Sequence, residues 1–176
     1  SQDKNTFGGG SGQYNREHVW AQSHGIDGAL PAYTDLHHLR ATNVSVNSAR
    51  GDLDFGNVLH NSSTMVNAVY GEGSSYCYKS GSYFEPRDEV KGDVARMLLY
   101  MMVRYEGGSE PNLELVNGTT TTSSSNMGDL ATLLEWHYLD PVDDWERERN
   151  HLVYGIQKNR NPFIDNPEYV EILFGE

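Results

Sequence analysis

The chain of 176 residues contains one cysteine, Cys77. A single thiol cannot form an internal disulfide or build a thiolate zinc cluster, so both are excluded as stabilising devices. No apolar run approaches the roughly 20 residues that a membrane helix needs. These absences exclude disulfide scaffolds, Cys-rich zinc domains and membrane-spanning helices, and they leave the redox compartment open.

Positive charge is also scarce. The 13 lysines and arginines stand against 25 acidic residues, which gives a formal net charge of −12. Such an excess weakens affinity for a polyanion, because phosphate binding relies on basic side chains that displace counterions. Net charge is only a sum, however, and a local basic cleft with a bound cation can still hold a phosphate.

Several catalytic motifs are missing. The chain has no phosphate loop, no Gly-x-Ser-x-Gly elbow and no His-Glu-x-x-His zinc pattern. Its adjacent His37 and His38 would face opposite ways on a strand, so a shared metal is not expected from them. We expect these histidines and His24 to be packed or hydrogen-bonded.

What is present is typical of a folded protein. Hydrophobic residues make up 37% and aromatic residues 11% of the chain, so a single α+β domain over residues 1–176 is expected, mixed but mainly helical. Residues 1–13 are rich in glycine and predict a flexible lead-in without core residues. The start at Ser1 lacks both an initiator Met and a signal sequence, so we expect a processed or truncated chain.

The first half predicts the order strand, strand, helix. Residues 14–20 and 33–39 suit strands, and residues 43–50 suit a short helix. Residues 51–83 predict irregular loops with at most a short strand pair.

The second half predicts mainly helices. Apolar residues at helical spacing predict an amphipathic helix over 89–105. Asp129 suits the N-cap of a helix ending near Tyr138, and Asp140-Pro141 suits the start of the next. That helix is expected to bury Trp145, Leu152, Val153 and Ile156. Residues 117–125 predict a surface loop, and a last helix after Pro167 is expected to turn Val170, Leu173 and Phe174 inward.

The Glu17-His18 pair is a weak signal by itself. Adjacent side chains on a strand point to opposite sides unless the strand ends there. Its context is more specific, because three blocks occur in order: YNREHVW at 14–20, TDLHHL at 34–39, and Val46-Asn47 with Arg50. These blocks resemble the core of the bacterial endonuclease I family, a branch of the ββα-metal (His-Me finger) nucleases.

The resemblance extends over most of the chain. It continues at FEP (84–86), KGDVAR (91–96), WE (145–146) and QKNRNPF (157–163). Two positions depart from the family, since Ala21 and Ala41 stand where prolines are usual. The family also tends to have more sequence before Thr6, so the chain is expected to be a fragment of a longer precursor.

The resemblance implies a mechanism and a ββα-metal core. His18 would deprotonate a water, while Glu17 and Asn47 would bind one divalent cation at the scissile phosphate. A neutral imidazole can accept a proton near physiological pH. One carboxylate and one amide oxygen suit Mg²⁺, and Mn²⁺ can substitute. Taken alone, Asn47 would more simply be a helix N-cap, and it is the family resemblance that favours the metal role.

Basic positions follow from the same resemblance. Arg50 and Arg96 match family positions that could hold phosphate in the catalytic site, although each could also be a surface ion pair. A denser basic group is either a cleft lining or a helix face with mutually neutralising charges. Its members are Arg147, Arg149, Lys158 and Arg160.

The function implied is a secreted, monomeric, Mg²⁺-dependent endonuclease that does not read sequence, since phosphate contacts carry no base information. DNA is the expected substrate and RNA is left open. Two alternatives come from other classes. One is a catalytically silent nucleic-acid or surface-binding module with the same fold, and the other is an acidic calcium-binding domain, against which no Asp-x-Asp-x-Asp-Gly loop is present.

Overall fold

Helices and strands are mixed along the chain. The computed structural model describes residues 5–10, 12–68, 74–107 and 112–175. The strands are β1 (Tyr14–His18), β2 (Leu39–Asn43), β3 (Asp54–Phe55), β4 (Met65–Asn67), β5 (Ser74–Lys79), β6 (Tyr83–Glu85), β7 (Glu114–Leu115) and β8 (Asn126–Met127). The helices are α1 (Pro31–Thr34), α2 (Val44–Arg50), α3 (Lys91–Arg104), α4 (Leu130–Leu139), α5 (Asp144–Gln157), α6 (Pro162–Asp165) and α7 (Tyr169–Phe174).

The predicted strand, strand, helix order is present at the start of the fold. β1 pairs with β2 in antiparallel register, with Glu17 opposite Arg40 and His18 opposite Leu39. α2 follows β2 directly, and the Asn43 side chain caps it by accepting from the Ser45 N–H at 3.0 Å. The end of β1 and the whole of α2 are therefore held side by side.

The second strand, however, does not lie at residues 33–39. Pro31–Thr34 forms a helical turn and Leu36–His38 forms a 3-10 turn, so β2 begins only at Leu39. The Asp35 carboxylate caps this 3-10 turn through the His37 N–H and also accepts from the hydroxyls of Tyr100 and Tyr105. This local cap, which the distant Tyr100 and Tyr105 hold in place, overrides the strand-like pattern.

Residues 51–83 hold more structure than expected. Together with residues 83–85 they form a four-stranded sheet in the order β3-β6-β5-β4, in which β3 runs parallel to β6 and the other pairs are antiparallel. Each strand is short, which explains why the sequence shows little periodicity here. Residues 69–73 lie outside the described residues.

α3 confirms the predicted long helix, but it is buried on nearly all sides. Leu98, Leu99 and Ala95 have no exposed surface. The segment around Asp140 also lies close to the α3 backbone. A Cβ added at Gly92 would lie only 1.9 Å from the Asp140 carbonyl oxygen. α3 is therefore a central core helix rather than a surface helix with one apolar stripe.

The helix after α4 starts later than predicted. Asp129 caps α4 as expected, but Asp140 ends α4 and accepts from the Gly92 N–H at 2.9 Å. Asp143 caps α5 instead, through the Glu146 N–H at 2.8 Å.

The predicted buried face of α5 is also wrong. Only Val153 is buried, whereas Trp145, Leu152 and Ile156 are 52%, 58% and 73% exposed. The inward face carries Glu146 and Asn150, whose polar groups bind partners inside the fold.

The C-terminal and polar segments agree largely with expectation. In α7, Val170 is buried and Phe174 packs against the core, while Leu173 is exposed. The Thr/Ser-rich stretch connects β7 to β8, mostly at the surface. In the described ranges, no helix has both the length and the apolar character needed to cross a membrane.

Candidate active site

Glu17, His18 and Asn47 line one cleft. The cleft has a volume of about 410 Å³ and also exposes Arg16 and Gln22. β1 ends at His18, so the usual alternation of side chains ends there too, and neighbouring Glu17 and His18 both reach the cleft. Asn47 reaches it from the middle of α2.

His18 is held in one tautomer by two hydrogen bonds. Its Nε2 lies 3.0 Å from the carbonyl oxygen of Tyr33, and a carbonyl only accepts, so Nε2 carries the proton. Its Nδ1 therefore has the lone pair, which accepts from the Gln22 amide nitrogen at 3.0 Å. The basic nitrogen of the ring thus faces the cleft.

The surroundings of His18 keep its ring neutral. Burial lowers the pKa of the imidazole below its ordinary value of 6.5, the hydrogen bond to Tyr33 opposes this, and Arg16 and Arg50 lower the pKa further. A ring with such a pKa is unprotonated at physiological pH. It can take a proton from water without first losing one.

Glu17 is a buried carboxylate beside a single cation. The Arg50 Nη1 lies 3.0 Å from Glu17 Oε1, yet Oε1 is buried and receives no hydrogen bond of good geometry. Burial raises the pKa of Glu17, and Arg50 opposes that rise. Because Glu17 also lines the cleft, its carboxylate can offer an oxygen to a hard cation there.

Asn47 offers the second oxygen. Its amide nitrogen donates to Asn15 Oδ1 at 2.7 Å and to the Arg16 carbonyl at 3.2 Å, which leaves Oδ1 as the atom for a cation. The N-cap interpretation of Asn47 is wrong, because Asn43 caps α2.

This donor set fits Mg²⁺ better than zinc. A carboxylate oxygen and an amide oxygen are both hard ligands. Because there are only two of them, they suit an ion that retains several waters. Over the described ranges there is no group of three or more His, Cys, Asp or Glu that could hold a metal.

Arg50 is not placed to hold phosphate as expected. It is 3% exposed, and its guanidinium donates to the carbonyls of His18 at 3.1 Å and Val19 at 2.8 Å besides pairing with Glu17. These contacts tie α2 to the end of β1. Arg50 is therefore a positioning residue.

Arg96 does not reach the cleft at all, which corrects the second expectation. It is completely buried, and its Nε and Nη2 bind the two carboxylate oxygens of Glu146 at 2.8 and 2.5 Å. A guanidinium enclosed in this way has no access to substrate, so we exclude it from the site.

The denser basic group also lies outside the cleft. Arg147 pairs with Asp144 and Arg160 with Asp165, while Arg149 donates to the carbonyls of Leu36 and Leu39. Lys158 donates to the Gly155 carbonyl, so of these four described residues only Arg147 forms an ion pair within α5 itself. The exposed cation that does line the cleft is Arg16, which stands directly before Glu17 in the first block.

The other histidines of this region are packed, as expected. His38 is buried and accepts from the Trp20 N–H, while its Nε2 donates to the Ala32 carbonyl. His37 is buried near the Asn159 carbonyl, away from the cleft. His24 is buried between the carbonyls of Asn126 and Asp52.

Comparison with known proteins places the chain in a family. The family model described as Endonuclease I matches residues 1–168. The chain is 50% identical to an extracellular ribonuclease of Bacillus amyloliquefaciens and 49% identical to one of Bacillus subtilis (strain 168), in each case over 99% of this chain and 58% of the relative. It is 28% identical to an Endonuclease-1 of Buchnera aphidicola, over 74% of this chain and 44% of that protein. The chain thus spans less than two thirds of the length of these relatives, and it belongs to the endonuclease I family.

Proposed function

We propose that this protein is a metal-dependent endonuclease that hydrolyses phosphodiester bonds without reading base sequence, with His18 as general base and Glu17 and Asn47 as metal ligands. The observation that carries the proposal is the shared cleft. It is lined by the Glu17 carboxylate, the Asn47 amide and a neutral imidazole whose basic nitrogen accepts from Gln22.

The chain's own residues supply the proton transfer. His18 Nδ1 takes a proton from the water that attacks phosphorus, and the Nε2–H bond to Tyr33 keeps the ring aligned as it becomes charged. The Gln22 amide, which donates to Nδ1, must give way to that water. When bound, Mg²⁺ would stabilise the negative charge that develops on the phosphate.

Substrate binding in this proposal relies on few basic groups. Arg16 provides an exposed guanidinium at the cleft and contacts a phosphate oxygen. Arg50 acts indirectly, by holding Glu17 and the backbone at the end of β1. The acidic surface elsewhere makes the divalent cation important for approach as well as for chemistry.

RNA and DNA are both proposed substrates. The more similar relatives carry the name extracellular ribonuclease, and the more distant ones the name Endonuclease-1. Contacts with phosphates alone would allow either backbone. The same names support the proposal that this protein acts outside the cell as a secreted enzyme.

The direct test is incubation with plasmid DNA and with total RNA, each with Mg²⁺ and with excess chelator. We expect cleavage of both in Mg²⁺ and none with chelator. Binding without cleavage would instead identify a silent nucleic-acid-binding module. Cleavage that persists with chelator would overturn the metal assignment.

A further inference from the structure

A second cavity lies beside the candidate active site and has no role in the mechanism above. Its volume is about 360 Å³, and it lies between β2, α2, β5, β6 and the start of α3. It shares Glu17, Asn47 and Arg50 with the His18 cleft. A group seated in this cavity would therefore lie next to the phosphate that is cut.

The floor of this cavity, hereafter the side groove, is apolar. Val19, Phe55, Phe84 and Val94 are all at most 5% exposed and line its base. Polar side chains line the rest of the cavity, among them Arg40, Thr42 and Ser75. An apolar floor with polar groups around it is typical of a site for a small ligand group with an apolar face and a polar edge.

The rim of the side groove carries an aromatic ring and a guanidinium. Tyr76 is 64% exposed, and the Arg87 side chain is 53% exposed and forms an ion pair with Glu89 at 3.7 Å. An exposed ring and an exposed arginine on the same groove are a combination found where proteins bind single-stranded nucleic acid, because bases stack on the ring and the cation follows the backbone.

The backbone directs Tyr76 outward. The β4–β5 pairing shifts register between Val66 and Asn67, and Tyr76 takes a φ of +53° at this irregularity. That conformation is unfavourable for a bulky residue, and bulges of this kind commonly redirect a side chain near functional sites.

We propose that the side groove binds one unpaired nucleobase of the substrate strand next to the scissile phosphate, with Tyr76 stacking on the base and Arg87 contacting the backbone. This inference rests on the proposed nuclease function. It adds a substrate preference, because a base inside a duplex is paired and stacked and cannot enter the groove. Single-stranded segments should be bound and cut in preference to duplex.

The first test measures binding without cleavage. A short RNA strand with 2-aminopurine at one position is titrated with protein in excess chelator. Stacking should quench the fluorescence. We expect Tyr76→Ala to weaken this binding about 5- to 150-fold, the range for loss of one stacked base, and Tyr76→Phe to retain it. Tyr169→Ala removes a partly exposed tyrosine that lines neither cavity and should change nothing.

The second test measures cleavage of matched single-stranded and duplex substrates with Mg²⁺. Tyr76→Ala and Ala68→Trp, which fills the groove from its half-buried wall, should lower kcat/KM for the single strand by a similar factor and reduce its advantage over duplex. The unaltered protein should cut a single-stranded substrate made of abasic nucleotides as slowly as Tyr76→Ala cuts the normal single strand. This comparison needs no mutation and is therefore free of any effect on folding.

The outcomes separate the two proposals. Unchanged 2-aminopurine binding in Tyr76→Ala together with equal cleavage of abasic and normal strands would overturn the base-binding groove. Failure to cleave any substrate would contradict the proposed function, and the binding titration would still decide whether the groove takes a base.

Discussion

At the residue scale, the site combines a neutral base with one exposed cation. His18 is half enclosed by the rings of Tyr33, 4.6 Å away, and His38, 5.5 Å away. Arg16 stands at the cleft and lowers the pKa of the imidazole. The same guanidinium thus adds to the main effect of burial in keeping the base unprotonated, and it can attract the phosphate.

Arg16→Ala should weaken substrate binding and make the affinity less dependent on salt concentration. Each phosphate contact contributes roughly 0.7 to 0.9 to the slope of log affinity against log salt, so loss of one contact should reduce the slope by about that amount. Binding to a single strand is measured in Ca²⁺ over a range of NaCl. Arg147→Ala is the control, since Arg147 pairs with Asp144 outside the cleft. Equal slopes for Arg16→Ala and the unaltered protein would show that Arg16 does not contact phosphate.

Single residues differ in how far the sequence could assign them. The ordered motif blocks identified Glu17, His18 and Asn47, and these do line one cleft. The assignments of Arg50 and Arg96 failed because burial decides whether an arginine can reach substrate, and burial depends on distant partners such as Glu146. Arg16 stood in the first block, but nothing in the sequence showed which side of the strand end it would occupy.

At the element scale, the connection between β1 and α2 depends on Arg50. Its guanidinium links the end of β1 to the last turn of α2 through two backbone carbonyls and Glu17. Removal of one partner leaves a buried charge without compensation, which typically costs about 3–5 kcal/mol.

Arg50→Gln should therefore lower the free energy of unfolding by several kcal/mol, measured by urea denaturation. Arg50→Lys should recover only part of it, because a lysine keeps the charge but loses the planar fork. Arg147→Gln breaks an exposed ion pair and should have little effect. If Arg50→Gln unfolds at the same urea concentration as the unaltered protein, Arg50 does not stabilise this connection.

Elements with strong local signals were predictable and those set by distant contacts were not. α3 and α4 follow from apolar spacing and the Asp129 cap. α5 was misplaced because Asp140 looks like a cap but bonds to Gly92, 48 residues earlier in the chain. Its inner face was misjudged because Glu146 there pairs with buried Arg96.

At the scale of the whole molecule, buried histidines make stability depend on pH. Burial lowers the pKa of His38 to about 4, and His18, His37 and His137 also have pKa values lowered by burial. In the unfolded chain these groups take up protons near pH 6.5. The contribution of these histidines to the free energy of unfolding is thus fully present above that pH. It is lost as pH falls toward 4, since the unfolded state then binds more protons than the folded state.

The His38 contribution should be about 2 kcal/mol lost between pH 7.5 and pH 5. Urea unfolding at the two pH values measures the loss of unfolding free energy from all the buried histidines together, which should exceed the loss from His38 alone. His38→Gln should lose less stability on acidification than the unaltered protein, whereas His151→Gln, which changes an exposed histidine of α5, should lose as much. A midpoint that does not fall from pH 7.5 to pH 5 would contradict the buried, neutral state of these rings.

The central claim is the division of labour between His18 and the metal ligands, and the most direct measurement is cleavage rate against both pH and Mg²⁺ concentration for five proteins. These are the unaltered chain, His18→Ala, Glu17→Ala, Asn47→Ala and Asn47→Asp. His18→Ala should lose about 10²- to 10⁴-fold in turnover at unchanged Mg²⁺ dependence, and its residual rate should no longer fall as pH drops through the imidazole pKa. Glu17→Ala and Asn47→Ala should require more Mg²⁺, and Asn47→Asp should retain activity because it keeps an oxygen in the same place. A His18→Ala protein that cuts at nearly the original rate, with the same acidic limb in its pH profile, would contradict the account.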